Sequence, residues 1–171
     1  MNIKNELELI YCEAFGTEDR EFRKFLFDNC FNSCRYLVEN KKIVAELFAF
    51  ECNLKLNQEV IPSVYIYAAA TLKSERGKGY MATLLENIKK EFPNHFIFLR
   101  PATDSLINYY SRFKFKTIPA KSEISNNNFI IPIGDLKALT ENIKPNGESF
   151  TLMYYYSKEI NETINFLYSM E

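Results

Sequence analysis

The chain begins with apolar residues at the three- and four-residue spacing of amphipathic helices. This spacing covers residues 5–15 and 17–31, where the apolar positions are Leu7, Ile10, Tyr11, Ala14, Phe22, Phe25, Leu26 and Cys30. Thr17 is placed to cap the second segment, because its hydroxyl can accept a hydrogen bond from a free amide of the first helical turn. The pattern predicts two helices that meet at Gly16.

Apolar and polar residues then alternate, which is the period of β-strands. Strands are predicted over residues 35–39, 43–56 and 63–72, with turns at 40–42 and 57–62 between them. Consecutive strands with such short connections pair antiparallel, since parallel neighbours need a long crossover. This part of the chain therefore predicts a three-stranded meander.

The helical period returns in residues 79–92, where one apolar stripe consists of Met81, Leu84, Leu85, Ile88 and Phe92. The aromatic run 95–99 follows as a predicted buried strand. Together with the strand 63–72 it gives a β-α-β unit, for which a right-handed crossover and parallel strands are expected. Further predictions are a helix at 104–112, strands at 128–133 and 149–156, a partly helical segment at 132–147, and a closing helix or tail at 160–170.

These elements predict an α/β (α+β) fold, in which a mixed, mostly antiparallel sheet is flanked by helices. The chain has 171 residues, which is close to the usual size of one domain. It contains no internal repeat, low-complexity tract or linker. We expect a single domain over residues 1–171.

Composition narrows the function further. The formal net charge is −1, so the chain lacks the broad positive field with which proteins neutralise nucleic-acid phosphates. Four cysteines without a Cys-x-x-Cys pair and a single histidine give no recognisable metal-ligand spacing. The start lacks the features of a signal peptide, and no apolar run reaches the roughly 20 residues of a membrane span. We expect a cytoplasmic protein with no metal, no nucleic-acid partner and no membrane partner.

The turn between the strand 63–72 and the helix 79–92 carries the most functional information. It reads Arg76-Gly77-Lys78-Gly79. Free amides at a helix start, the positive end of the helix dipole and two cations together predict an anion site. The alternative is a solvated surface turn.

Residues 77–82 also fit the G-x-G-x-x-A fingerprint of dinucleotide-binding folds. Three observations oppose that interpretation. The preceding strand is the third of an antiparallel meander, residues 73–76 make the turn too long, and the next strand ends at Leu99-Arg100-Pro101 without an acid for a ribose. Dinucleotide-dependent chemistry is therefore the less favoured alternative.

The sequence Arg76 to Met81 followed by an apolar helix resembles the coenzyme A loop of the GNAT superfamily of N-acyltransferases, with Arg76 and Gly79 matching its R-x-x-G core. A second stretch, residues 99–115, is similar to the next strand and helix of that family, which commonly end F-Y-E-K-x-G-F. The resemblance covers residues 35–115 and implies a GNAT-like fold with a central acyl-CoA-binding β-α-β unit.

The chain departs from the family pattern at three positions. Met81 stands where many members have Gly or Ala and narrows the space beside the phosphates. Thr103 stands where many relatives use an Asn. Lys114 replaces the usual Gly of the G-F ending, so we expect that turn to adopt a different conformation.

The resemblance implies a set of cofactor contacts. Backbone amides of residues 77–82 would bind the pyrophosphate of acetyl-CoA, and the Arg76 and Lys78 side chains would add charge-assisted hydrogen bonds. The pantetheine arm would pair with strand backbone at a splay in the sheet, where one amide would also polarise the thioester carbonyl. The cofactor-binding residues implied in this way are Ala69, Ala70, Thr71, Arg76, Gly77, Lys78, Gly79, Tyr80, Met81 and Ala82.

The resemblance also implies a catalytic residue, because Tyr110 takes the place of the tyrosine proposed to protonate the leaving thiolate. The alternative for Tyr110 is a core tyrosine with a satisfied hydroxyl.

A general base is not identified. Glu46 and Glu51 point to opposite sides of their strand, and each is more readily explained as a solvent-facing acid. A water relay is an equal candidate for the base. The Tyr-rich strand 153–156 is interpreted first as an amphipathic edge strand or a homodimer surface, and second as a wall of the acceptor pocket.

The predicted function is transfer of an acetyl group from acetyl-CoA to a primary amine of a small-molecule or peptide acceptor. Direct attack is favoured, because no cysteine sits in a recognisable nucleophile arrangement. The rival prediction is a non-catalytic acyl-CoA-binding or interaction module on the same fold.

Overall fold

The computed structural model describes residues 2–56, 59–121, 128–132, 149–158 and 166–167. The described contacts group the chain into two compact units, Met1–Ala49 with Ile66–Glu91, and Phe50–Tyr65 with Phe92–Glu171. The single domain stays a prediction. The segment predicted to be partly helical lies outside the described residues, apart from its first residue, Pro132.

The helices are α1 (Ile3–Phe15), α2 (Arg20–Asn29), α3 (Tyr80–Glu91) and α4 (Asp104–Ser111), with 3-10 turns at Phe31–Ser33 and Lys73–Glu75. The strands are β1 (Cys34–Glu39), β2 (Lys42–Leu56), β3 (Glu59–Thr71), β4 (Phe96–Leu99), β5 (Lys116–Lys121), β6 (Asn128–Pro132), β7 (Ser149–Tyr155) and β8 (Phe166–Leu167). Hydrogen-bonded neighbours follow the order β1-β2-β3-β4-β7-β5-β8, and β6 pairs with β2. The predicted mixed, mostly antiparallel sheet flanked by helices is confirmed.

The two predicted N-terminal helices are present in the first unit, but the predicted cap of the second is wrong. Asp19, not Thr17, is the N-cap of α2, because its carboxylate accepts a hydrogen bond from Phe22 N at 3.0 Å. A carboxylate at this position also interacts favourably with the positive end of the helix. Of the predicted apolar positions, α1 buries Leu7, Ile10 and Tyr11 and α2 buries Leu26. Phe27 of α2 is also buried, although the periodicity did not include it.

The β1–β2 hairpin has the turn that the sequence predicts. Asn40 and Lys41 both have positive φ, at 49° and 62°, which is the geometry of a two-residue turn whose twist matches that of the strands. The strands pair antiparallel from Glu39 opposite Lys42 to Cys34 opposite Phe48. Residues 43–50 are all buried, so both faces of this part of β2 are covered.

The third strand begins earlier than predicted. Pro62 was expected to lie in a turn, yet β3 starts at Glu59 and runs through it. Proline removes one donor from a strand, which is tolerated where no neighbouring carbonyl needs that hydrogen. The side chain of Pro62 is exposed. After β3, α3 buries Leu84, Leu85 and Ile88 as its stripe predicts.

The second unit corrects two predictions from the C-terminal part of the chain. The Tyr-rich strand is not an edge, because β7 pairs antiparallel with β4 on one side and with β5 on the other. The strand β5 was not predicted, because Lys116–Lys121 has charged residues at both ends and a proline inside, and β7 was therefore expected to lack a second neighbour. Phe166–Leu167 is a strand that pairs parallel with β5, where a closing helix or tail was expected.

Candidate active site

The predicted anion-binding loop lies in the first unit between β3 and α3. Gly77 and Gly79 have φ values of +80° and +86°, a left-handed region that residues with a side chain rarely adopt. A Cβ atom built on either glycine meets no atom within 4 Å. The space beside the backbone at both glycines is therefore open.

The amide groups of the loop are oriented by the start of α3. The first helical hydrogen bond runs from Thr83 N to Gly79 O at 3.0 Å. The amides of Tyr80, Met81 and Ala82 precede it and have no acceptor within the helix, since a helix leaves its first amides unpaired. Together with the helix dipole, this geometry suits an anionic group.

The two cations of the loop are held by the loop itself. Arg76 Nε donates to Thr71 O at 3.2 Å, which folds the side chain back over the end of β3. Lys78 Nζ lies 2.7 Å from a carboxylate oxygen of Glu75. This hydrogen bond from Lys78 lowers the pKa of Glu75. The Lys78 side chain, predicted to add a contact to the phosphates, thus pairs with an acid of the same loop.

The strand that leads into the loop contains a feature that the sequence analysis missed. Ala68 has a φ of 49°, although left-handed backbone costs an L-residue roughly 1–2 kcal/mol. Such a residue inside a strand is typical of a bulge, which re-aims the backbone groups that follow it. The groups that follow are Ala69, Ala70 and Thr71, of which Ala70 is buried and the other two are half-buried.

Aromatic side chains from both N-terminal helices pack against β3 next to this bend. The hydroxyl groups of Tyr11 and Tyr67 form a hydrogen bond. The ring of Phe22 meets that of Tyr67 edge-on, with centroids 6.2 Å apart. The strand is thereby held by α1 and α2 directly before Ala68.

Glu46 is a buried acid, which corrects the expectation that it faces solvent. It lies opposite Tyr36 on the hairpin and is 0% exposed. In the described part of the chain neither of its carboxylate oxygens has a hydrogen-bond partner. Burial raises the pKa of Glu46 to about 9, because a charged carboxylate is poorly solvated there. Burial therefore favours the protonated form of Glu46 at neutral pH, whereas Glu51 is exposed.

Tyr110 belongs to the second unit, on the buried side of α4. Its residue exposure is 7%, and its ring lies 5.9 Å from that of Phe115, which in turn contacts Tyr155 of β7. Burial, followed by the neighbouring Tyr109, raises the pKa of Tyr110 to about 12. The phenol thus holds its proton at neutral pH, as a proton donor must.

Among described residues, the fully buried side-chain oxygen and nitrogen atoms without a partner are the two carboxylate oxygens of Glu46 and Nδ1 of His95.

The turn after α4 contains a further left-handed residue. Lys114 has a φ of 64°, a conformation that glycine adopts most readily, so the lysine bears backbone strain. That this turn differs from the family's turn stays a prediction.

Metal sites, membrane-spanning helices and disulfides are not found among the described residues. No group of three or more His, Cys, Asp or Glu in those residues is arranged to hold a metal ion. No helix among them is both long and apolar enough to cross a lipid bilayer. None of the four cysteines, all of which lie in the described residues, forms a disulfide.

The described structure resembles several solved acetyltransferases. An acetyltransferase of Corynebacterium glutamicum related to histone acetyltransferase HPA2 is 14% identical, with 93% of each chain covered and a TM-score of 0.60. The Bacillus subtilis N-acetyltransferase YlbP, in complex with coenzyme A, is 15% identical, with 91% of each chain covered and a TM-score of 0.54. A GCN5-related N-acetyltransferase of Kribbella flavida is 12% identical, with 69% of this chain and 30% of that chain covered and a TM-score of 0.52.

At these identities the likeness concerns the fold. The chain spans about a third of the length of three larger relatives, from Enterococcus faecalis, Kribbella flavida and Anabaena variabilis. No curated protein matches the sequence.

A sequence profile decides the family. The profile of the acetyltransferase (GNAT) domain matches residues 6–118, which is more than half of the chain. The fold of the solved relatives agrees with this match. The chain belongs to the GNAT acetyltransferase family. The roles of the individual site residues remain predictions.

Proposed function

We propose that this protein transfers an acetyl group from acetyl-CoA to a primary amine of a small molecule or peptide, by direct attack of the amine on the thioester. The observation that carries the proposal is the pair of left-handed glycines, Gly77 and Gly79, at the start of α3, with open space beside both. Backbone amides of this kind suit the pyrophosphate of coenzyme A. The coenzyme A complex of YlbP, which has the same fold, supports the choice of cofactor.

The chemistry divides among the residues as follows. The amides of residues 77–82 bind the pyrophosphate, with added contacts from Arg76 and Lys78. The backbone of Ala69, Ala70 and Thr71 pairs with the pantetheine arm, and an amide there polarises the thioester carbonyl. The neutral amine attacks the carbonyl carbon, the carbon–sulfur bond breaks, and Tyr110 gives its proton to the departing thiolate. The amine loses a proton to a water relay or to a base not yet assigned.

The rival is a non-catalytic acyl-CoA-binding module on the same fold. It would bind the cofactor at the same loop and need no proton donor. The cytoplasmic location and the absence of metal, nucleic-acid and membrane partners stay predictions, as do a homodimer and the identity of the acceptor.

Thiol release from acetyl-CoA tests the proposal. The full chain is incubated with acetyl-CoA and a panel of primary amines, which includes an amino acid, a short peptide and a polyamine. The proposal predicts that at least one amine accelerates thiol release and that its acetylated product appears by mass spectrometry. Binding of acetyl-CoA without acceleration by any amine class would favour the non-catalytic rival.

A further inference from the structure

Glu13 on α1 contacts the start of the anion-binding loop. One of its carboxylate oxygens accepts a hydrogen bond from Lys73 N at 3.2 Å. Lys73 is the first residue of the 3-10 turn that leads into the loop. Both residues belong to the first unit.

This contact fixes more than one amide. Lys73 N and Leu72 O belong to one planar peptide group, and Leu72 O accepts the hydrogen bond from Glu75 N that closes the 3-10 turn, at 2.9 Å. The carbonyl of Lys73 accepts from Arg76 N at 3.4 Å. Because Glu13 holds this peptide plane, it also sets the direction of the turn that delivers the chain to Gly77.

The place of Glu13 in its helix does not explain its charge. It lies in the last turn of Ile3–Phe15, where the negative end of the helix dipole disfavours a carboxylate. Its negative charge also does not favour phosphate binding nearby. What the carboxylate supplies at this position is a hydrogen-bond acceptor for the loop.

Glu6 offers a comparison within the same helix. It lies seven residues before Glu13, on the same side of α1, and accepts a hydrogen bond from Ile43 N at 3.4 Å at the start of β2. That bond is of the same kind but lies away from the loop. The two glutamates therefore share a bracing role, and only Glu13 acts on the loop.

We propose that Glu13 is a positioning residue for the cofactor loop: its carboxylate orients the peptide group of Leu72 and Lys73 and so holds the backbone of residues 77–82 ready for the pyrophosphate. The inference rests on the proposed function. Glu13 does not itself contact the cofactor. Its removal should weaken cofactor binding without changing the chemical step.

Calorimetric titration of the full chain with coenzyme A tests this role. Glu13→Ala should bind about tenfold more weakly, the affinity equivalent of losing one charge-assisted hydrogen bond. Glu13→Gln keeps the acceptor oxygen and removes the charge, so it should bind within about twofold of the wild type. Glu6→Ala should keep wild-type affinity. With acetyl-CoA and an active amine, Glu13→Ala should raise KM for acetyl-CoA and leave kcat unchanged.

Any of three results would overturn the inference. Glu13→Ala would bind coenzyme A as tightly as the wild type, Glu13→Gln would bind it as weakly as Glu13→Ala, or Glu6→Ala would lose as much affinity as Glu13→Ala. If Glu13→Ala does not fold, Glu13→Leu, which keeps helix propensity and volume, takes its place with the same expected loss. Failure of the wild type to bind coenzyme A would instead contradict the proposed function. The two failures are thus distinguishable.

Discussion

The hydroxyl groups of Tyr11 on α1 and Tyr67 on β3 share a hydrogen bond. Burial raises the pKa of both phenols, and the bond raises the pKa of Tyr11 further while it lowers that of Tyr67. Tyr67 directly precedes Ala68, whose φ is 49°. The bend in the strand is therefore tied to the N-terminal helix.

Phenylalanine substitutions should measure that tie. Tyr11→Phe and Tyr67→Phe should each lower the free energy of unfolding by about 1 kcal/mol, the usual net value of one hydrogen bond. The double variant should lose less than the sum of the two, because both single changes remove the same bond. Urea unfolding measures the two single variants and the double variant. Tyr36→Phe is the control, because Tyr36 is exposed. Additive losses would show that the two hydroxyl groups are not coupled.

Glu46 should make the free energy of unfolding fall as pH rises, whereas a carboxylate in an ion pair has the opposite effect. Its pKa is about 9 in the folded state against a reference value of 4.5, so the folded protein retains a proton that the unfolded chain releases. Its contribution is fully present below pH 4.5 and is lost as pH rises through about 9, at roughly 1.4 kcal/mol for each pH unit between these values.

Urea unfolding at pH 6 and pH 8 tests this effect. Glu46→Gln does not titrate and should lose less stability than the wild type between the two values. The exposed Glu51→Gln serves as the control and should follow the wild type. If the wild type and Glu46→Gln lose the same stability between pH 6 and pH 8, Glu46 does not hold the proton that the folded protein retains.

Tyr110→Phe should separate chemistry from binding. Loss of a positioned proton donor lowers turnover by about a hundredfold or more, while KM for acetyl-CoA should stay near the wild-type value because the phenol is not a binding group. Steady-state kinetics with an active amine measures both. Tyr109→Phe is the matched control and should keep most of the turnover. Full activity of Tyr110→Phe would remove this residue from the mechanism.

Gly79→Ala should weaken cofactor binding beyond its effect on stability. A methyl group at φ +86° costs about 1–2 kcal/mol of strain and projects into the open space beside the loop. Gly16→Ala is the control, since Gly16 has φ +87° and equally open surroundings but lies at the end of α1. Both variants should lose similar stability in urea, and only Gly79→Ala should lose affinity for coenzyme A. Equal affinities would argue against contact between the loop and the cofactor.

Glu75→Gln should tighten coenzyme A binding a few-fold at low salt. The change releases Lys78 from its ion pair and removes a negative charge from the loop, and the gain should shrink as salt screens the charges. Glu86→Gln is the control, because Glu86 pairs with Lys89 at the same spacing and the same 2.7 Å distance, away from the loop. Titration calorimetry at two salt concentrations measures both variants. Unchanged or weaker binding by Glu75→Gln would show that Glu75 does not compete with the phosphates.

Much of the fold follows from local signals in the sequence. The apolar stripes of α1, α2 and α3 and the Asn40-Lys41 turn are encoded within a few residues, and each is found where the pattern places it. The loop at Gly77 and Gly79 can be predicted for the same reason, since two glycines between a strand and a helix indicate positive φ.

The features that the sequence did not predict depend on tertiary contacts. Ala68 carries no local signal for a left-handed conformation, because alanine does not favour one. Glu46 sits in a strand whose two faces are both covered, so the usual solvent-facing position of a strand acid does not apply to it. The hydrogen bond between Glu13 and the Lys73 amide joins residues far apart in the chain, and β5, with charged ends and an internal proline, is not recognised as a strand without β7 beside it.

The most direct test of the account is an NMR titration of the isotopically labelled protein with coenzyme A, in which the backbone amide of each residue is followed. A coenzyme A site at this loop should give saturable binding, with the largest shifts at the amides of residues 77–82 and further shifts at 69–71. Binding that leaves the amides of Gly77 to Ala82 unmoved, or no binding at millimolar coenzyme A, would contradict it.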